Sequence, residues 1–194
     1  KQNPLLEVVE AIDGPIQLNE CAGDNGICSF DDECPLRPIW CEAQGELVAI
    51  LDDCGVPRRD WARTVVAEHA RLGNAVIGGA VENGRQALLN RAAYFCDFSG
   101  YQLPYEAGPR AYVSDVNICY KRHALEATRD LWKERYHETT VHWALQRAGE
   151  KLFLSDRFVV DQMRDGITLG TLLSERVCGG RLFAATRSRE ASGT

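Results

Sequence analysis

The run Glu46–Leu51, ELVAIL, is apolar almost throughout and stops on two adjacent acids, Asp52 and Asp53, just ahead of a Gly-Val-Pro turn at Gly55–Pro57. A short apolar run bounded by turn residues reads as a buried strand. One that ends on carboxylates delivers them to the C-terminal edge of a sheet, where open α/β sheets bind their ligands. Beyond this turn, helical and extended patterns alternate. RRDWARTVVAEHARLG places Trp61, Val65 and Leu72 at helical spacing, with Gly73 suited to close the helix. AVIGGAV (75–81) is the next strand, its Gly78-Gly79 pair marking a bulge or a close approach of backbone to something else.

GRQALLNRAAYFCDF is helical by period, AYVSDVNICYKR is extended into a turn, and RHALEATRDLWKERY is another helix. ETTVHWALQRAG is a helix closed by Gly149, and KLFL and RFVV are short strands. The tail, Ile167–Arg189, has helical composition with a kink or break expected at Gly179-Gly180. Strands alternating with helices define an α/β domain.

A chain of 194 residues with 45% hydrophobic and 26% charged content buries one substantial core. One domain is expected over 1–194, with a cysteine-rich divergent part (1–44), a core (45–166) and a basic helical tail (167–194). The net charge is -6 and the 22 basic residues are scattered, which excludes a nucleic-acid partner. No apolar run reaches the ~20 residues of a membrane span, and KQNPLLEVVE carries acid where a signal peptide is apolar. The expectation is a cytoplasmic chain without a transmembrane segment, or one peripheral to a membrane. Of eight cysteines, Cys21, Cys28, Cys34, Cys41 and Cys54 fall in the first third. Mostly buried thiols are favoured, with one or two disulfides or a zinc site as alternatives.

Asp52 and Asp53 suit a Mg²⁺ or Mn²⁺ that bridges a diphosphate, because hard cations take carboxylate oxygens and keep positions open for phosphate; the bland alternative is an acidic solvated turn. His137-Glu138-Thr139-Thr140-Val141-His142 superficially resembles a zinc-protease motif. The two histidines are five residues apart and point roughly 140° away from each other on a helix, so a zinc protease is rejected. Glu138 opens a helix, where a carboxylate serves as a cap or, beside a hydroxyl, as a general base. Asp24–Glu33 is acid-rich without the order of a calcium loop. His69 and His123 read as surface residues, and Trp61, Trp132 and Trp143 as core.

In order along the chain, GELVAILDDCGVPRRDW, NAVIGGAVENGRQALLNRAAYF, SDVNICYKRHALE and YHETTVHWALQRAGEKLFLSDRFVV resemble the successive landmarks of family 2 inverting glycosyltransferases, over about three quarters of the chain. The resemblance implies a GT-A-like (Rossmann-like) mixed sheet flanked by helices. A nucleotide diphosphate sugar would bind at the strand ends, and a carboxylate would deprotonate a hydroxyl acceptor, saccharide or lipid-linked, with inversion at the anomeric carbon.

Carried over by position, Asp52 and Asp53 resemble the Mg²⁺ or Mn²⁺ and diphosphate motif, and Glu138 resembles the base. Asn117 resembles a residue near the donor sugar, and Gly78 and Gly79 a pair that lets backbone approach the substrate. Arg181, with Arg176 and Arg187, is similar to a basic segment that clamps phosphate, and Asp24 to the acid that grips the nucleotide base. The family's first nucleotide-binding strand has no counterpart before Leu5, so the implied fold is amino-terminally shortened. A truncated or degenerate domain that binds without turnover is the second function class, and a disulfide-stapled binding module the third.

Overall fold

The computed structural model describes residues 46–192. Two compact units divide the chain, 1–48 and 49–194. The described residues are those of the second unit and of the strand that leads into it; Asp24 and the cysteines at 21, 28, 34 and 41 lie outside them. The elements are β1 (Leu47–Leu51), β2 (Gly55–Pro57), α1 (Trp61–Leu72), β3 (Val76–Asn83), α2 (Leu88–Phe98), β4 (Gly108–Arg110), β5 (Asn117–Lys121), α3 (Arg122–Ala127), α4 (Arg129–Trp132), α5 (Glu138–Arg147), β6 (Leu152–Gln162) and α6 (Leu169–Ser192).

Six strands form one mixed sheet in the order β1-β5-β3-β6-β2, with β4 also pairing β6. The central pair β3 and β6 is parallel, while β3–β5, β2–β6 and β4–β6 are antiparallel. The sheet is flanked by helices, so the α/β class expected from the alternation holds. β1 ends the strand order and is only half-buried, because it packs against one neighbouring strand where a central strand has two. The fully buried strand is β3, whose first six residues are buried without exception.

Helix α1 follows its sequence pattern closely. Trp61 and Val65 point inward, and Gly73 closes the helix in the left-handed region at φ 70°, donating its N–H to the His69 carbonyl. Its inner face also carries Glu68 and His69, 1% and 5% exposed. His69 is therefore a core residue and not the surface residue expected; the helix turns it inward one position after Glu68. Burial pushes its imidazole pKa down to about 4.

Glu68 has partners enough to stay charged. Arg71 donates to both its oxygens at 3.0 and 2.8 Å, the Ser155 hydroxyl at 2.7 Å and Arg157 at 3.2 Å. Burial raises its pKa, yet the bonds from Arg71 and Ser155 outweigh it and hold the carboxyl below its ordinary range.

Ser155 and Arg157 belong to a detour in β6. Leu152–Leu154 pairs with Val76–Gly78 and Val159–Gln162 pairs with Ala80–Asn83, so the residues between them leave the ladder opposite Gly79. The two short strands expected at KLFL and RFVV are the halves of this one strand. Gly79 has no room for a side chain, since a Cβ would lie 2.3 Å from Phe158 and 2.4 Å from the Asn117 amide.

That space is filled by Asn117. It accepts from Trp61 Nε1 at 2.8 Å and donates to the Ala80 carbonyl at 2.8 Å and the Phe158 carbonyl at 3.3 Å. Trp61 also meets Phe158 edge-on, with ring centroids 6.1 Å apart.

Other expectations change in detail. RHALEATRDLWKERY is two short helices, α3 and α4, because Thr128 leaves helical geometry and turns its hydroxyl onto the Leu125 carbonyl. The tail is one 24-residue helix, α6, running through Gly179-Gly180 without interruption. Trp132 and Trp143 are half-buried, each with its indole N–H bonded, whereas Trp61 is core. Among the described cysteines only Cys119 is buried, while Cys96 and Cys178 are exposed, so the expectation of mostly buried thiols fails here. No helix among the described residues is long and apolar enough to cross a membrane.

Asn117→Ala removes an acceptor from a buried indole and a donor from two buried carbonyls. We expect a loss of about 2–4 kcal/mol, seen as a lower urea midpoint with unchanged slope. The buried imidazoles titrate in the opposite sense to a histidine held in a salt bridge. His69 and His142 are both neutral in the fold, depressed by burial to about 4, and protonate near their ordinary 6.5 once unfolded. Their stabilisation is complete above about pH 6.5 and is lost as pH falls towards 4. Urea titrations across that window should give a shallower pH dependence for His69→Leu than for the parent chain.

Candidate functional site

At the end of β1 the chain makes a tight turn, with the Gly55 N–H on the Asp52 carbonyl at 3.0 Å. The Asp52 carboxylate is fixed from both sides: one oxygen accepts the Cys54 N–H at 2.8 Å, the other the Gln162 amide at 2.9 Å. Asp53 is exposed. Ligand atoms of Asp52, Asp53 and Cys54 lie within 4.8 Å of one another. Cys54 is not a fitting third ligand for a hard cation. Burial raises its pKa, as does its bond to Asp53, and the proton stays on sulfur. The donor set that fits is Asp53 with Asp52 behind it, and Mg²⁺ takes one or two carboxylates and fills its other positions with water or phosphate oxygens.

One cavity opens beside this turn and a second adjoins it. The smaller, about 60 Å³, is lined by Asp52, Gln162, Arg85, Arg164 and neighbours on α2. Arg85 is tethered to the Met163 carbonyl at 3.0 Å, and Arg164 to Glu175 of α6. The larger, about 400 Å³, is lined by Asp115, Glu138, Ser114 and a set of aromatic rings. Asp97 and Phe98 line both, so the cavities share a wall.

Asp115 is a functional candidate that no sequence pattern singles out. It sits at the tip of a turn in which the Ser114 hydroxyl accepts the Val116 N–H at 3.3 Å and the Ser114 carbonyl the Asn117 N–H at 3.4 Å. Asp115 is exposed, and the cavity walls around its carboxyl remove part of its hydration. That desolvation, then the charges of Glu138 and Asp52, raise its pKa to about 6. Glu138 begins α5 and accepts the Thr139 hydroxyl at 2.9 Å. Acids from two other segments, the end of β1 and the start of α5, thus act electrostatically on Asp115 at the approach to β5. Only its neighbours make Asp115 unusual.

Other predicted residues are placed differently. Asn117, expected near a donor sugar, is 0% exposed and its amide is fully engaged by protein groups. Gly78 and Gly79 face protein: a Cβ on Gly78 would lie 2.5 Å from Val113, and Gly79 meets Phe158. Arg181 is exposed on α6 and lines neither cavity. Arg176, of the same basic segment, pairs with Asp97. His142 is buried, its Nε2 3.1 Å from the Tyr120 hydroxyl, which in turn meets Tyr136 at 2.7 Å.

No protein-family model and no curated protein matches the chain. Among solved structures it is similar to A197 from STIV, at 12% identity and a TM-score of 0.39, over 66% of this chain and 63% of that one. The chain therefore spans less than two thirds of that protein.

The coupling of the acids has a direct test. A carboxyl chemical-shift titration should find Asp115 near pH 6, and in Glu138→Gln its midpoint should fall while staying above the ordinary ~3.9. An unchanged midpoint in that variant would remove Glu138 from the field at Asp115.

Proposed function

We propose that the chain carries a GT-A-like site for inverting sugar transfer from a nucleotide diphosphate sugar to a hydroxyl acceptor. The observation that carries this reading is the shared wall: the cavity beside Asp52 and the pocket of Asp115 and Glu138 are both lined by Asp97 and Phe98. The smaller cavity offers Arg85 and Arg164, paired with Asp165 and Glu175 and of the kind that matches phosphate oxygens. The other offers two carboxylates in an open cavity with room for a hydroxyl-bearing ligand.

In this scheme Glu138 accepts the proton of the acceptor hydroxyl as its oxygen attacks the anomeric carbon. The bond to the diphosphate oxygen breaks on the opposite face, giving inversion in one displacement. Asp115 lines the same cavity as Glu138 and adds a second carboxylate beside the attacking hydroxyl. Asp53, backed by Asp52, would hold Mg²⁺ or Mn²⁺, which supplies positive charge to the departing diphosphate when bound.

The second class, a domain that binds without turnover, is favoured by one observation. Asp52 already has both oxygens engaged by Gln162 and the Cys54 N–H, which leaves Asp53 as the main outward ligand. The experiment is calorimetric titration of UDP- and GDP-sugars with Mn²⁺, followed by assay of nucleotide release over a panel of hydroxyl acceptors. Under the transfer reading Glu138→Gln lowers turnover by roughly 100-fold or more with donor binding retained, and Asp53→Asn weakens Mn²⁺-dependent donor binding. Donor binding with no release under any acceptor would establish the non-catalytic reading, and no donor binding would sink both.

A further inference from the structure

The larger cavity has an unusual combination of walls. Four aromatic rings, Phe98, Tyr101, Tyr112 and Phe183, surround two carboxylates, Asp115 and Glu138. Tyr112 and Phe183 each leave 42% of their surface open although both line the cavity. They are held there: Trp143 donates its indole N–H to the Tyr112 hydroxyl at 3.0 Å, and the Trp143 ring lies 6.5 Å from Phe183. Exposed aromatic surface facing a cavity marks a place where a ligand is stacked.

The charge of the cavity narrows the ligand. Asp97, the third acid of the lining, is neutralised by Arg176 of α6. Among the described residues Asp115 and Glu138 form no ion pair with a lysine or arginine, and the lining contains neither; His137, outside the lining, offsets part of the charge at Asp115. An anion placed here meets two like charges, so a phosphate or carboxylate ligand is repelled. A neutral polyol gains stacking and hydrogen bonds. A cation gains those, the field of two carboxylates, and the negative faces of the surrounding rings. Desolvation raises the Asp115 pKa most, and the field of Glu138, felt by a proton, adds to it.

We propose that this cavity binds a hydroxyl compound bearing a protonated amine, an amino sugar or amino alcohol, seated among Phe98, Tyr101, Tyr112 and Phe183 with its ammonium directed to Asp115 and Glu138. The inference rests on the transfer reading for the role of this ligand as acceptor, and on the cavity alone for its chemistry. The diphosphate of a donor is excluded from this cavity and belongs at the Arg85 and Arg164 end.

The test compares glucosamine with N-acetylglucosamine and glucuronate at about pH 7, where the amine of the first is largely protonated and the pocket acids largely ionised. Calorimetry or Trp143 fluorescence reads the affinities without any donor present. Glucosamine should bind roughly tenfold or more tightly than N-acetylglucosamine, and glucuronate should not bind. In Asp115→Asn the preference for the amine should shrink several-fold, and Tyr112→Ala should weaken both neutral and cationic ligands together. A cooperative melt for each variant checks that it folds.

Equal affinity for the charged and acetylated sugars, tighter binding of glucuronate, or binding of none of the three overturns the proposal. Amine binding with no nucleotide release from any donor sinks the transfer reading and leaves the pocket assignment standing. Transfer that accepts only neutral hydroxyl compounds does the reverse.

Discussion

The side-chain amide of Asn117 joins four elements at one point. Its oxygen takes the indole proton of Trp61 from α1, and its nitrogen reaches carbonyls of β3 and β6 from its own place on β5. Three local departures from regularity meet there. Gly79 leaves a gap in β3, β6 abandons its ladder opposite that gap, and the detour leaves the Phe158 carbonyl off the β3 ladder. In a dry interior such a carbonyl is costly to leave unbonded, and the amide supplies what the interrupted ladder does not. Glu68 braces the same detour through Ser155 and Arg157.

This core arrangement positions the candidate chemistry. Asp115 stands two residues before Asn117, at the tip of a turn whose backbone bond ends on the Asn117 N–H. Fixing the amide therefore fixes where the acid emerges. Glu138 is set independently by the start of α5, and Asp52 by Gln162 at the end of β6. Carboxylates delivered by separate elements hold Asp115 in the field of Glu138 and Asp52, because no single hinge moves them apart. The result is two cavities with a common wall, one lined by both arginines and acids beside Gln162, the other by acids without arginine or lysine beside Ser114.

Much of the fold was legible because its signals are local. The apolar spacing of α1 and the Gly73 stop are properties of adjacent residues, and the helix ends where they say. The halves of β6 were each readable, but their union was not, since the detour is defined by pairing with β3. β1 read as buried because its composition is apolar, while strand order is not written in composition. His69 read as a surface residue because a polar side chain in a charged helix carries no mark of inward rotation. Of the candidate site, Asp52, Asp53 and Glu138 were readable as acids at element ends. Asp115 was not, since its character comes from desolvation and from charges 63 and 23 residues away in sequence, at Asp52 and Glu138. Asn117 was singled out for a ligand when its partners are entirely internal.

Helix α6 contributes Phe183 to the cavity and is fastened to the domain by Arg164–Glu175 and Arg176–Asp97, with Leu172 buried near its start. Phe183 of the pocket wall is thus written in the last described element of the chain, while the acids that face it are written in the turn before β5 and in α5. Under the proposed reading, the choice of ligand and the groups that would act on it are encoded in separable stretches of sequence, and drift in the tail alters the wall without touching the acids.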